Sequence, residues 1–183
     1  MPGDVVIPDS YSDLWGADRG RQNAAYESLM ATTEQSVPWA GAVWDDVVGH
    51  LADRDNHNRA IAGQLLCNLA AHESSDRVLG DLPALIVVTK DPRFVTARHT
   101  LRSLWKIGLA GEKQRAGLLE TLRVRYRDSF DEKNGTLVRS DLVESLRRLH
   151  DAVPDEAVSE LAQEFIAAEP EEKYRKKYAK FWR

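Results

Sequence analysis

The chain has 183 residues, 43% hydrophobic and 30% charged, a composition typical of a globular protein and not of a disordered one. The single cysteine, Cys67, excludes an internal disulfide bond and is typical of a reducing compartment. The formal net charge is −4, but residues 1–172 carry 19 basic and 29 acidic residues, whereas residues 173–183 carry six basic residues and no acidic one. The field of the main body therefore disfavours non-specific binding to nucleic acid.

The first element in chain order is a short N-terminal extension, residues 1–17. It has no basic region followed by an apolar core, and no apolar run in the chain approaches the ~20 residues needed to span a bilayer. We expect a cytoplasmic protein without membrane contact, with a single domain over residues 18–183.

Five arginines then recur along the chain at spacings of 38, 39, 41 and 36 residues. Three, seven and, in the first four segments, ten positions after each arginine the residues are mostly apolar, which traces one stripe along a helix. Four further helices are predicted between these segments, at 40–52, 77–90, 114–128 and 155–169, and no segment reads as a strand. The pattern predicts an all-α chain of about nine helices in antiparallel pairs. The five arginines that recur at these spacings are Arg21, Arg59, Arg98, Arg139 and Arg175.

This pattern resembles the HEAT and HEAT-like repeat family over residues 18–183. The third unit shows the resemblance best, with Pro83 in its first helix, Asp91 in the turn, and Val95 and Arg98 opening its second helix. The resemblance implies a right-handed α–α superhelix, here with repeats at about 18–39, 40–74, 75–111, 112–152 and 153–183.

The resemblance also implies a ladder of aspartate–arginine contacts between neighbouring repeats. We interpret the repeated arginines as this structural ladder, in preference to a row of phosphate-binding groups. Each arginine lies at the edge of the apolar stripe, where its stem covers the core and its guanidinium meets a turn carboxylate. The expected ladder residues are Asp53, Arg59, Asp91, Arg98, Asp131, Arg139 and Arg175, with Glu171 or Glu172 in the last turn.

In HEAT-like stacks the second helices line the concave surface. Positions about one, four, five and eight after each arginine are expected to face outward there, and this wall becomes basic towards the C-terminus. We expect it to bind a protein with an acidic surface, although an ordinary solvated face remains an open interpretation. The residues are His99, Arg102, Lys106, Arg147, Lys176, Lys180 and Arg183.

The final segment "EKYRKKYAKFWR" (172–183) follows the same register. Tyr178, Phe181 and Trp182 fall on the core stripe, so the segment is predicted to be the last helix of the fold and not a basic tail. We expect a monomer.

No catalytic, cofactor or metal site is predicted. The loop "FDEKNGTLVRSDL" lacks the first ligand of a calcium loop, the five histidines lack zinc spacing, and Cys67 has no activating base nearby in the sequence. The expected function is a non-catalytic interaction scaffold.

One alternative is a nucleic-acid-binding protein that resembles the HEAT-like alkylpurine DNA glycosylases. Those proteins clasp DNA with a basic concave face and use an acidic residue beside aromatics. Glu144 is the one carboxylate on the predicted wall. A HEAT-like accessory of a lyase or modification enzyme also remains open, on fold analogy alone.

Overall fold

A computed structural model describes residues 4–183, and over this range the chain is entirely helical, without strands. The all-α prediction is confirmed. The described range holds nine α-helices and four 3-10 helices. The α-helices are α1 (Arg19–Thr32), α2 (Ala40–His50), α3 (Asn56–Ala70), α4 (Arg77–Val88), α5 (Phe94–Leu101), α6 (Glu112–Asp128), α7 (Gly135–Ala152), α8 (Glu156–Ala168) and α9 (Glu172–Ala179). The 3-10 helices are Asp9–Trp15, Leu104–Leu109, Ser129–Asp131 and Lys180–Trp182.

Aspartates in the connecting turns start several of these helices. Asp18 accepts a hydrogen bond from the Arg21 backbone amide and so caps α1, and Asp55 caps α3 through the amide of His57. Asp155 caps α8 in the same way. Such caps satisfy backbone donors that have no partner within the helix, which fixes where each helix begins.

Helices two apart in the chain pack against each other. The odd-numbered helices α1, α3, α5, α7 and α9 contact one another in chain order, and so do α4, α6 and α8. The 3-10 helix Asp9–Trp15 packs on α1, where Leu14 is buried and the ring of Trp15 stacks on His50. Part of the N-terminal extension thus packs against the helices that follow it.

The helix α3 lies at the centre of this arrangement. It contacts α1, α2, α4, α5 and both the 3-10 helices Asp9–Trp15 and Leu104–Leu109. All residues from Ala60 to Ala70 are buried as a result. The expectation that positions one, four, five and eight after Arg59 face solvent was therefore wrong at all four positions, and α7 likewise buries Ser140 and Val143.

The third arginine helix is shorter than its apolar stripe suggested. The helix α5 ends at Leu101, and the chain resumes as the 3-10 helix Leu104–Leu109. The hydroxyl of Ser103 donates to the carbonyl of His99 (2.8 Å), a local bond of the kind that competes with a regular helix.

Within the described residues, none of the helices combines the length and the apolar character that a membrane span requires.

Candidate interaction surface

Three of the repeated arginines reach a carboxylate that lies at least 30 positions further along the chain. Arg59 donates to Asp91 through Nε (2.5 Å) and Nη2 (3.1 Å). Burial alone would raise the pKa of Asp91, but the hydrogen bonds from Arg59 and from the Arg93 amide outweigh it and lower this pKa. Arg98 donates two hydrogen bonds of 2.9 Å to the carboxylate of Asp141, and Arg139 donates one of 2.7 Å to Glu169.

Two of the expected partners differ from the sequence prediction. Asp131 lies exposed in the 3-10 helix Ser129–Asp131, and its side chain makes no hydrogen bond or ion pair within residues 4–183. The partner of Arg98 is Asp141, which projects from α7 where that helix packs on α5. In the last turn the partner is Glu169, whose side chain is fully buried, and not Glu171 or Glu172.

Arg59 and Arg175 share a second contact that repeats in register. Each donates through Nη1 to the carbonyl oxygens six and five positions before it. For Arg59 these belong to Asp53 and Arg54, and for Arg175 to Glu169 and Pro170. The carboxylate of Asp53 itself accepts from Asn58 and from the Asp55 amide. The guanidinium groups of Arg59, Arg98, Arg139 and Arg175 are thus bound within the fold.

Two cavities open on the surface formed by the odd-numbered helices. The first, of about 410 Å³, lies between α1, α3 and α5, and we call it the His99 cavity. The second, of about 390 Å³, lies between the end of α1, α3, the 3-10 helix Leu104–Leu109 and α7, and we call it the Lys106 cavity. The solvent-accessible side chains of α1, α3, α5 and α7 around the two cavities, together with those of Arg102 and Lys106 in the segment after α5, are named here the odd-helix face.

Mutual hydrogen bonds hold the polar side chains of the His99 cavity in place. The Tyr26 hydroxyl donates to Gln64 Oε1 (2.7 Å), and Gln64 Nε2 donates to the carbonyl of Ala60 (3.0 Å). Arg19 bridges Gln22 (2.7 Å) and Asp55 (2.5 Å). Burial tends to raise the pKa of Asp55, but the bonds from Arg19 and the His57 amide prevail and lower this pKa to about 2.

His99 lines this cavity at the edge of the predicted basic wall. Burial, together with the positive charges of Arg102 and Arg98, lowers the pKa of His99 below its usual value of 6.5. The imidazole is therefore uncharged at neutral pH, and His99 does not add to the positive charge expected of it.

The predicted cations Arg102, Lys106 and Arg147 lie towards the other end of the odd-helix face. The Lys106 ammonium donates to Asn68 Oδ1 (2.5 Å), and Arg102 lies 3.9 Å from the Glu144 carboxylate. Arg147 pairs with Asp151 (2.6 Å), and its guanidinium carbon lies 5.3 Å from the centre of the Trp182 ring.

The three remaining predicted cations lie near the end of the chain. Lys176 pairs with Glu172 one turn away (2.7 Å), while Lys180 and Arg183 are exposed and have no ion pair within residues 4–183. Trp182 donates to the carbonyl of Val143 (3.2 Å), which joins this segment to α7. No contact places Lys176 beside Arg102 or Lys106.

Arg148 is a member of the surface that the sequence reasoning missed. It lines the Lys106 cavity and pairs with Glu144 at 3.0 Å, the same carboxylate that Arg102 approaches. The expected outward positions ended at offset eight from Arg139, and Arg148 has offset nine. Its spacing of four from Glu144 on one helix was the available signal.

Two observations bear on metal binding and on the reactivity of Cys67. Within residues 4–183 no three histidine, cysteine or acidic side chains are grouped so that they could hold a metal ion. Cys67 is fully buried, and burial raises the pKa of its thiol to about 12 although Lys106 opposes the shift. A thiol with that pKa is not a nucleophile at neutral pH.

The chain matches no family model and no curated protein sequence.

Proposed function

We propose that the chain is a non-catalytic module of HEAT-like repeats whose odd-helix face binds a protein with an acidic surface. In this proposal the helix pairs form a right-handed superhelix, with the odd-numbered helices on its concave side. The contacts in register support the repeat interpretation, since Arg59 and Arg175 hold the same two carbonyl positions of the preceding turn.

The observation that carries the binding proposal is the excess of cations around the Lys106 cavity. Lys106 and Arg148 line this cavity together with Glu34. Arg102 approaches the Glu144 carboxylate that Arg148 binds, and Arg147, next to Arg148 on α7, pairs with Asp151. Four cations thus stand against three carboxylates. Arg102 is 47% exposed in its side chain and only loosely paired, so it can reach an incoming carboxylate without breaking a short bond. Positive charge here is a local exception in a chain whose net charge is negative.

Charge reversal tests the proposal. The triple variant Arg102→Glu, Lys106→Glu and Arg147→Glu is compared with Arg54→Glu, Arg93→Glu and Arg127→Glu, which change exposed arginines away from the cavities by the same total charge. Fluorescence anisotropy with a labelled glutamate-rich peptide should show at least about tenfold weaker binding for the first variant alone. Equal binding by both variants, with intact circular dichroism, would contradict the proposal.

The nucleic-acid alternative predicts a different result in the same assay. A labelled DNA duplex held by six phosphate contacts should bind with a log–log salt slope of about −5. Duplex binding with that slope, and none of the acidic peptide, would favour the alternative. Release of base from alkylated DNA would then test its glycosylase form.

A further inference from the structure

The His99 cavity has the walls of a pocket for an apolar group. Ala60 and Ile61 form its floor, with 9% and 7% of their surface exposed, and the half-buried ring of Tyr26 forms one side. Its volume of about 410 Å³ lies within the range of about 300–1,000 Å³ usual for binding pockets. One large aliphatic or aromatic side chain can occupy such a space.

The polar groups at the rim of the His99 cavity do not favour a charged occupant. Arg19 is neutralised by Asp55, and the hydroxyl of Tyr26 already donates to Gln64. Arg19 and Tyr26 already have partners and His99 is uncharged, so a charged group here would lose hydration without meeting an uncompensated opposite charge, which is costly. The cavity therefore favours an apolar occupant.

Positive charge begins one helical turn beyond the cavity. Arg102 directly follows the end of α5, three positions after His99, and is near enough to influence the titration of His99. From Arg102 the surface continues to Glu144 and Arg148 on α7, beside the Lys106 cavity. An occupant that leaves the His99 cavity in this direction meets cations.

We propose that the acidic partner is recognised through a segment that places one bulky apolar side chain in the His99 cavity and acidic residues on Arg102 and the cations beyond it. This inference rests on the proposed function and specifies its partner. Charge complementarity selects the occupant, because the apolar pocket and the basic surface are contiguous on α5.

Two labelled peptides of about twelve residues test this inference. Both are glutamate-rich on either side of a central position, which is leucine in one and alanine in the other. Wild-type protein should bind the leucine peptide about tenfold more tightly, since the cavity removes the extra methyl groups from water.

Two matched variants test whether the preference for the leucine peptide arises in the His99 cavity. Asn23 is an exposed residue that lines the cavity, and Asn23→Trp should fill it and abolish the preference for leucine. Ser28→Trp, on the same helix but outside the cavity, should keep the preference. An unchanged affinity of Asn23→Trp for the alanine peptide shows that the variant is folded and that the basic surface is intact.

The outcomes separate this inference from the proposed function. Equal binding of both peptides, or a leucine preference that survives in Asn23→Trp, would overturn the inference and leave the acidic-partner proposal standing. Failure to bind either peptide would overturn both. Self-association by sedimentation that Asn23→Trp abolishes would assign the cavity to a second copy, which also overturns the inference.

Discussion

At the residue scale, the ion pairs of this fold differ widely in what they contribute. The Arg139–Glu169 pair is almost completely buried, with 6% and 0% of the two side chains exposed. The Lys113–Asp76 pair is mostly exposed, at 69% and 58%. Buried and exposed pairs with similar geometry have very different energetics, because the loss of one buried partner leaves the other charge without compensation.

We expect Arg139→Ala to lower the free energy of unfolding by about 3–5 kcal/mol, since it isolates the Glu169 carboxylate in the core. Lys113→Ala should lower it by less than about 1 kcal/mol. Urea unfolding followed by circular dichroism measures both. Similar losses for the two variants would show that the Arg139 contact is not a buried structural pair.

Gly63 marks the closest approach of α3 and α5. A Cβ atom there would lie 2.2 Å from Oγ1 of Thr100, which is itself fully buried. Gly63→Ala should therefore destabilise the fold by about 1–3 kcal/mol, although alanine is the better helix former. Thermal unfolding measures the change.

Gly80 provides the control, since it lies in α4 with nothing within 4 Å of an added Cβ. Gly80→Ala should raise stability by up to about 1 kcal/mol. The double change Gly63→Ala with Thr100→Ala removes the clash and should recover part of the loss. A Gly63→Ala protein as stable as the wild type would refute the close approach.

At the element scale, the last helix shows how a basic segment can belong to the core. Tyr178 is fully buried, and its hydroxyl donates to the carbonyl of Thr136 (2.7 Å). Burial raises the pKa of this phenol above its ordinary value. Tyr174, Phe181 and Trp182 pack partly buried against the same core, while the lysines between them stay exposed.

Deletion of residues 173–183 should lower the melting temperature by about 10 °C, because it removes a buried tyrosine together with a partly buried tryptophan. Replacing Lys176, Lys177 and Lys180 with glutamine should leave the melting temperature nearly unchanged. Differential scanning calorimetry measures both. An unchanged melting temperature after the deletion would mean that the segment is an appended tail.

The helices could be predicted from the sequence because each arginine segment repeats one stripe of apolar residues at helical spacing. The four intervening helices begin and end within a few residues of their predicted positions. The sequence did not predict correctly which residues far apart in the chain contact each other. The partner of Arg98 depends on where α7 lies against α5, and local sequence does not encode that position.

The candidate surface was predicted only in part, for a similar reason. Arg102 and Lys106 lie on the expected surface, but α3 packs against four α-helices and two 3-10 helices, so its predicted outward positions are buried. The lowered pKa of His99 depends first on burial, which only the folded chain provides, whereas Arg98 and Arg102 are its neighbours along the sequence.

At the scale of the whole molecule, carboxylates that accept hydrogen bonds couple stability to pH. Hydrogen bonding by Arg115 is the main reason that the pKa of Asp155 is lowered, and that of Lys90 does the same for Asp128. The pKa values of Asp91 and Asp55 are also lowered, the latter to about 2. Aspartate in an unfolded chain has a pKa of about 3.9.

Stability from these four carboxylates should be present well above the pKa of unfolded aspartate and lost as the pH falls below about 4, and for Asp55 the loss continues to about pH 2. In that window the unfolded chain binds more protons than the folded chain, so acid favours unfolding. Urea unfolding at pH 6, 4 and 3 measures the trend. Asp155→Asn should show a shallower decline, and an identical decline would exclude Asp155 as a contributor.

The enclosure of α3 has a kinetic consequence for its backbone amides. Because this helix packs against four α-helices and two 3-10 helices, local fraying should not expose its buried part, and the amide hydrogens between Ala60 and Ala70 should exchange with deuterium only when the whole chain opens. Amides of the exposed turns should exchange through small local fluctuations. The exchange rate of α3 thus becomes an internal gauge of global unfolding.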